Sequence, residues 1–157
     1  MTVPPSPHIL KPLEQLDYYD VRAINLPVAI KPLEAWNLIM RTTPVWLRYA
    51  FTIRDAISAR FGVKRIGGFS GKQQDQVQTG DYLDFFLVEV VEPDALVLTA
   101  RDKHLDVMTC ISTHGPRLTI TSSVVTHNAF GKAYMLPVGP AHKMIVDHML
   151  RSVRKAL

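Results

Sequence analysis

Between Asp81 and His127 the chain carries four β-like runs joined by connections too short to hold anything but reverse turns. "DYLDFFLVEVV" and "DALVLTAR" meet at Glu92, Pro93 and Asp94, and "HLDVMTCIST" and "RLTITSSVVTH" meet at "HGP". Pro, Gly and Asp bend a backbone because of their own dihedral preferences, so these are turn compositions with a mechanism. Strands joined this tightly pair antiparallel, since a parallel pair needs a crossover of about a dozen residues or more. The second half therefore predicts a four-strand antiparallel meander, with Asp102 and Lys103 connecting its middle pair.

Helices bracket this meander. "YYDVRAINL" reads as a first strand, rich in aromatic and β-branched residues and ended by Pro27. In "IKPLEAWNLIM", Pro32 and Glu34 suit a first helical turn, and Ile30, Leu33, Trp36, Leu38 and Met40 cover one side. "TTPVWLRYAFTIRDAISARFG" then offers Thr43 as N-cap, Pro44 at the first helical position and Gly62 beyond the last turn. Its stripe of Trp46, Tyr49, Ile53 and Ile57 demands burial, while Arg48, Arg54 and Arg60 lie away from the stripe's centre. After His127, Asn128 can cap a last helix, although Gly131, Pro137, Gly139 and Pro140 interrupt it. Beyond Pro140 the stripe of Ile145, Met149 and Val153 is clear, flanked by Val146 and Leu150.

Residues 1–157 are expected to form a single domain, long enough to bury a core without disulfides or metal. Residues 1–16, with three prolines near the start, read as an extended N-terminal arm, and the glycine- and glutamine-rich stretch 62–80 as a flexible loop or edge hairpin. The net charge is +4, but the basic residues are scattered singly or as Lys64-Arg65 before the tail, with no interleaved aromatics, so nucleic acid is not an expected partner. Cys110 is the only cysteine, which rules out an internal disulfide and fits a reducing, cytoplasmic setting; in "LDVMTCIST" it reads as a core residue. No apolar window has the length of a membrane span, so no membrane insertion is expected.

Period-two sorting sets Leu83, Phe85, Leu87 and Glu89 on one sheet face and Tyr82, Asp84, Phe86, Val88 and Val90 on the other. In the next hairpin Leu105, Val107, Thr109 and Ile111 oppose His104, Asp106, Met108, Cys110 and Ser112. Both faces are partly apolar. Either helices cover one face while the N-terminal arm or a partner subunit covers the other, or a curved sheet encloses an internal cavity. In the cavity reading Trp46, Tyr49, Phe85 and Met108 are wall groups, and Glu89, His104, Asp106, His127, Asn128 and Tyr134 are polar anchors.

The six histidines form no HExxH, and a lone cysteine forms no CxxC, so neither a metal nor any other cofactor is expected. No Gly-rich phosphate loop is present either. The segment "VVTHNAFGKAYMLPVGPAHK" reads mainly as the place where sheet hands over to helix, with His127, Asn128 and Tyr134 beside the interior. Three readings follow. The first is a domain that binds a small hydrophobic or amphipathic molecule. The second is a cyclase-, isomerase- or hydrolase-like enzyme using a carboxylate-histidine pair, Asp106 or Glu89 with His104 or His127. The third is a structural domain forming a homodimer through an apolar surface.

The stretches "DYYD", "TTPVWLRYAFTIRDAISARFG", "DKHLDVMTCIS" and "VVTHNAFGKAYMLPVGPAHKMIVDHML" together resemble an uncharacterised bacterial domain-of-unknown-function family of the 2867 type, from about Asp17 to Leu150. That family looks distantly like the START or polyketide-cyclase superfamily (SRPBCC). The resemblance implies an α+β helix-grip fold: a curved antiparallel sheet wrapped around a C-terminal helix, two short helices after the first strand, and an interior suited to a hydrophobic ligand. Positions of the family type here are Asp17, Tyr18, Asp20, Trp46, Arg54, Asp55, Asp102, His104, Leu105, Asp106, His127, Asn128, Gly131 and Tyr134. The resemblance carries no catalytic assignment to any of them.

Overall fold

The structure, a computed structural model, describes residues 8–60 and 70–157. In chain order these form a short 3₁₀ turn (Leu13–Gln15), β1 (Tyr18–Asn25), α1 (Pro32–Arg41), α2 (Val45–Ala59), β2 (Tyr82–Leu83), β3 (Phe86–Glu92), β4 (Ala95–Arg101), β5 (Leu105–His114), β6 (Arg117–Thr126) and α3 (Ala129–Ala156). The fold is α+β. Its antiparallel sheet runs β1-β6-β5-β4-β3-β2. The expected meander is β3 to β6, and the first strand closes onto the last, Tyr18 opposite Val124 and Asn25 opposite Arg117.

The turns form as their residues require. Pro93 and Asp94 join Glu92 to its partner Ala95, and Gly115 takes the positive φ (58°) that a two-residue hairpin needs between His114 and Arg117. Within the first meander run the sequence hides a further turn. Asp84 adopts φ of 57°, so "DYLDFFLVEVV" divides into β2 and β3, paired as a hairpin through Leu83 and Phe86. A bulge between Val88 and Val90 then shifts the register against β4. It breaks the expected alternation: Val88 stays with the main core while Val90 packs on the opposite face, against Ala95, Val97, Met108 and Cys110.

Both faces are apolar because both are covered. The main core joins Trp36, Ile39 and Met40 of α1 and Val146, Leu150 and Val153 of α3 to Val88, Leu96, Leu98, Ile111, Leu118 and Ile120 of the sheet. On the far face the N-terminal arm lies down: Leu10 packs into the smaller cluster and its backbone N–H donates to Ser123 Oγ at 3.2 Å. His8 approaches Glu92 at 3.8 Å. Residues 1–7 of the predicted arm and 61–69 of the predicted loop or hairpin lie outside the described residues. Between Ser70 and Gly80 no strand forms; instead Asn37 of α1 receives the Gln74 N–H on its Oδ1 (2.9 Å) and donates to the Gln74 carbonyl (2.7 Å).

α3 is continuous through Pro137 and Pro140, correcting the expected interruption. Three residues apart, the two prolines share one helix side, and both are exposed, so the carbonyls they leave unpaired can be met by water. Asn128 caps the first turn, its Oδ1 accepting from Gly131 N–H at 2.9 Å. At the start of α2, Thr43 is not the cap: its hydroxyl donates back to the Ile39 carbonyl at 3.1 Å and closes α1, while Pro44 holds the N-cap position.

Candidate functional site

One end of the sheet collects residues from distant parts of the chain. The β4–β5 connection is bent by Asp102, whose Oδ1 accepts from the backbone N–H of His104 (2.7 Å) and Leu105 (3.0 Å). This presents the His104 carbonyl to His127 N–H at 2.8 Å, so the hairpin and the start of α3 are bonded together. Gly131 makes that approach feasible: a Cβ there would collide with the His104 carbonyl oxygen and lie 3.2 Å from Thr126 Cβ.

His104 is the centre of this junction and is 9% exposed. Asn128 Nδ2 lies 2.9 Å from its Nδ1, nearer than Oδ1 at 3.3 Å, and Oδ1 is already taken by Gly131 N–H. The amide therefore donates to Nδ1, which makes Nε2 the N–H of the neutral ring. That Nε2 is buried and has no hydrogen-bond partner among the described residues. A buried donor in this state carries a cost of about 1–3 kcal/mol until something accepts from it.

Aromatic rings and one cation surround it. Phe130 sits 4.6 Å from the His104 ring, and Tyr134, one turn further along α3, stacks on Phe130 at 6.5 Å. Arg54 of α2 donates from Nε to the Tyr134 hydroxyl (2.9 Å), lies 5.5 Å over its ring, and pairs with Asp55 at 2.8 Å. Burial opposes the Arg54 charge, but the Tyr134 hydroxyl and Asp55 outweigh it and hold the guanidinium above its ordinary range. A second aromatic row crosses from α2 to α1: Phe51 to Phe85 (6.3 Å), Phe85 to Phe86 (4.3 Å) and Phe86 to Trp36 (6.1 Å).

Of the residues singled out from sequence, Phe85, His104, Asn128 and Tyr134 share this end of the fold on the helix side. Glu89, Asp106, His127 and Met108 do not. They lie on the opposite face or its rim, where Thr99 donates to Glu89 (2.7 Å), Arg101 bridges Glu89 (3.1 Å) and Asp106 (3.2 Å), and His127 Nε2 reaches Asp106 at 3.1 Å. Met108 is in the small cluster under the arm. His104, expected on the same face as Asp106, departs from strand parity because it belongs to the turn before β5.

Trp46 and Tyr49 correct the wall-group expectation most clearly: they are 50% and 67% exposed on the outside of α2. The helix instead buries Leu47 and Ser58 and turns Phe51 and Arg54 inward with them, at i, i+4, i+7 and i+11. That narrower stripe was the signal for Phe51, Arg54 and Asp55, which side-chain hydrophobicity alone passes over. Cys110 is fully buried, as expected for a core residue, and burial pushes its thiol up, away from thiolate chemistry. Among the described residues no three His, Cys, Asp or Glu side chains converge as metal ligands, and no helix is long and apolar enough to cross a membrane.

Comparison with known proteins yields no curated relative. A hypothetical protein from Helicobacter pylori of known crystal structure superposes with a TM-score of 0.44 and 15% identity, over 99% of this chain and 98% of its own. Residues 12–149 match the family described as "Protein of unknown function (DUF2867)". That span holds Asp102, His104, Asn128, Gly131 and Tyr134 together with Arg54 and Asp55, and the chain belongs to this family.

Proposed function

We propose that the domain is a helix-grip, START-like binding module that takes a small amphipathic molecule at the junction of α2, α3 and the β4–β5 turn. The observation that carries this reading is the buried Nε2–H of His104, without a partner among the described residues and flanked by Phe130. Binding sites of this kind pair apolar walls with a few placed polar groups. Here Phe130 and Tyr134, with Phe51 and Phe85 nearby, supply apolar surface. His104 offers a donor, and Arg54, bound to Tyr134 and Asp55, fixes the Tyr134 ring beside Phe130. The favoured ligand has a hydrocarbon or aromatic body and a head group that accepts hydrogen bonds, a carboxylate or carbonyl. The antiparallel sheet packed on a long C-terminal helix supports the helix-grip assignment.

Native mass spectrometry of protein purified without detergent, followed by solvent extraction, tests this. The expected result is a small-molecule mass increment on the native chain that is reduced in His104→Leu and Phe130→Ala. Absence of an increment, together with no saturable binding of anilinonaphthalene sulfonate, overturns it.

A second reading draws on the Asp106–His127 contact of 3.1 Å, the carboxylate-histidine pair that acid-base chemistry requires. The His127 side chain is 39% exposed, so the pair is open to solvent. If this reading holds, a molecule extracted from His127→Gln protein is converted on incubation with the native chain; an unaltered molecule rejects it.

A further inference from the structure

α2 wears its broader apolar side on the outside. Val45, Trp46, Tyr49, Ile53 and Ile57 are 66%, 50%, 67%, 60% and 57% exposed, whereas the buried strip of this helix is limited to Leu47 and Ser58. At about 100° per residue, the five exposed residues and the small Ala50 and Ala56 form one continuous arc. Met144, 71% exposed, lies one turn before His148 on α3, whose ring meets Trp46 at 5.8 Å, so the apolar surface continues onto α3. An exposed apolar surface of this order on a folded domain marks an interaction site.

Charge decides the occupant. Among the described residues the exposed charges on α2 and its C-terminal end are Arg48 and Arg60, while the single carboxylate of α2, Asp55, is turned inward onto Arg54. On the α3 side, beside Met144, Arg151 is exposed and the Asp147 carboxylate is already paired with Arg22 at 2.7 Å. Two copies meeting through α2 would bring these arginines together with no exposed carboxylate on the helix to answer them. An anionic lipid surface answers both features: it receives Trp, Tyr and Ile at the level of its head groups and attracts the flanking arginines. We infer that α2 docks the protein, peripherally and reversibly, on anionic phospholipid membranes through Trp46, Tyr49, Ile53 and Ile57. The inference rests on the outer side of α2 and is independent of the inner site around His104.

The test uses the full chain and vesicle flotation. Vesicles of equal parts phosphatidylcholine and phosphatidylserine should carry the protein, vesicles of phosphatidylcholine alone should not, and raising the salt should release it. Ile53→Glu and the double variant Arg48→Glu/Arg60→Glu should each lower binding by on the order of tenfold or more. Leu13→Glu, on the arm, should bind as the native chain does. Trp46 emission should move to shorter wavelength on vesicles and lose that shift in Trp46→Phe. Unchanged melting of Ile53→Glu verifies that the fold is intact. Failure to float with anionic vesicles overturns the inference, as does undiminished binding of Ile53→Glu. A dimer in solution that Ile53→Glu splits, without vesicle binding, overturns it in favour of a second copy on this surface.

Discussion

Replacing Gly131 with alanine isolates the contact that builds the candidate site. Taken alone, alanine inside a helix is favoured over glycine by about 1 kcal/mol. At Gly131, however, the new methyl group would lie closer to the His104 carbonyl oxygen than side-chain carbons approach in real proteins, and 3.2 Å from both the His104 carbonyl carbon and Thr126 Cβ. The obstacle is backbone, and it is tied down by the His127 N–H to His104 carbonyl bond of 2.8 Å. Relief requires α3 to draw back from the β4–β5 turn, weakening that bond and the contact of Asn128 with His104. Overpacking of this kind costs about 1–3 kcal/mol, and the strained hydrogen bonds add about 1–2 kcal/mol. Net of the helix preference, Gly131→Ala should destabilise by about 1–4 kcal/mol. For a domain of this size that is a fall in Tm of roughly 3–12 °C. Gly139→Ala is the matched control in the same helix, because its methyl meets only the edge of the Tyr18 ring at 3.3 Å, which can yield. It should melt within about 1 kcal/mol of native. Thermal denaturation by circular dichroism measures both; a Gly131→Ala protein as stable as native or more so refutes the packing described.

Further expectations concern the cap, the pH response and the outer carboxylates. Asn128→Ala should cost about 1–2 kcal/mol in chemical denaturation through loss of the N-cap. Asn128→Ser should restore most of that stability, since a serine hydroxyl can cap, while still leaving His104 Nδ1 without its donor and weakening ligand retention. Burial near Tyr18 lowers the pKa of His142, so the unfolded chain binds the proton more readily than the folded one. Its contribution is therefore present above the ordinary histidine range and is lost as pH falls below about 6.5 toward the depressed value; His142→Gln should flatten that part of the stability profile. Burial also pushes Tyr18 up to about 12, so one tyrosine should titrate late in ultraviolet absorbance and disappear from that late phase in Tyr18→Phe. The Thr99 hydroxyl, then Arg101, lower the Glu89 pKa, a stabilisation present above the ordinary carboxylate range and lost as pH falls through the depressed value. Thr99→Val should reduce that acid sensitivity while keeping the core filled.

Sequence pattern carried the architecture well where local and global preferences agree. β4, β5 and β6 and their turns are legible because turn residues sit between clean β-like runs, and α1 because Pro32 marks its first turn. Elsewhere the physics was nonlocal. Nothing in "DYLDFF" announces that Asp84 will take a positive φ and split the strand, and the bulge at Val88 to Val90 is a matter of register against β4. Prolines at 137 and 140 read as a break because the penalty is local, whereas the burial of Val146, Leu150 and Val153 against the sheet and α1, which sustains α3, is not. For the site, Asn128 and Tyr134 are legible as polar groups beside the predicted strand-to-helix junction and His104 as a polar anchor before β5, while His127, expected with them, turns to Asp106 on the other rim. Arg54 enters only as a family-type position and Phe51 not at all, because periodicity finds the apolar side of α2 without telling which side faces the protein. The broader stripe reads as the inward one, and the structure turns it outward.

The ring nitrogens of His104 give the most direct test of the central proposal. In a long-range proton-nitrogen correlation spectrum of uniformly labelled protein, the His104 ring should appear as the Nε2–H tautomer. Adding anilinonaphthalene sulfonate should shift its Nε2 resonance saturably while His114, exposed at the far end of β5, stays in place. A His104 resonance indifferent to the probe, with shifts confined to surface histidines, would contradict a ligand site at this junction.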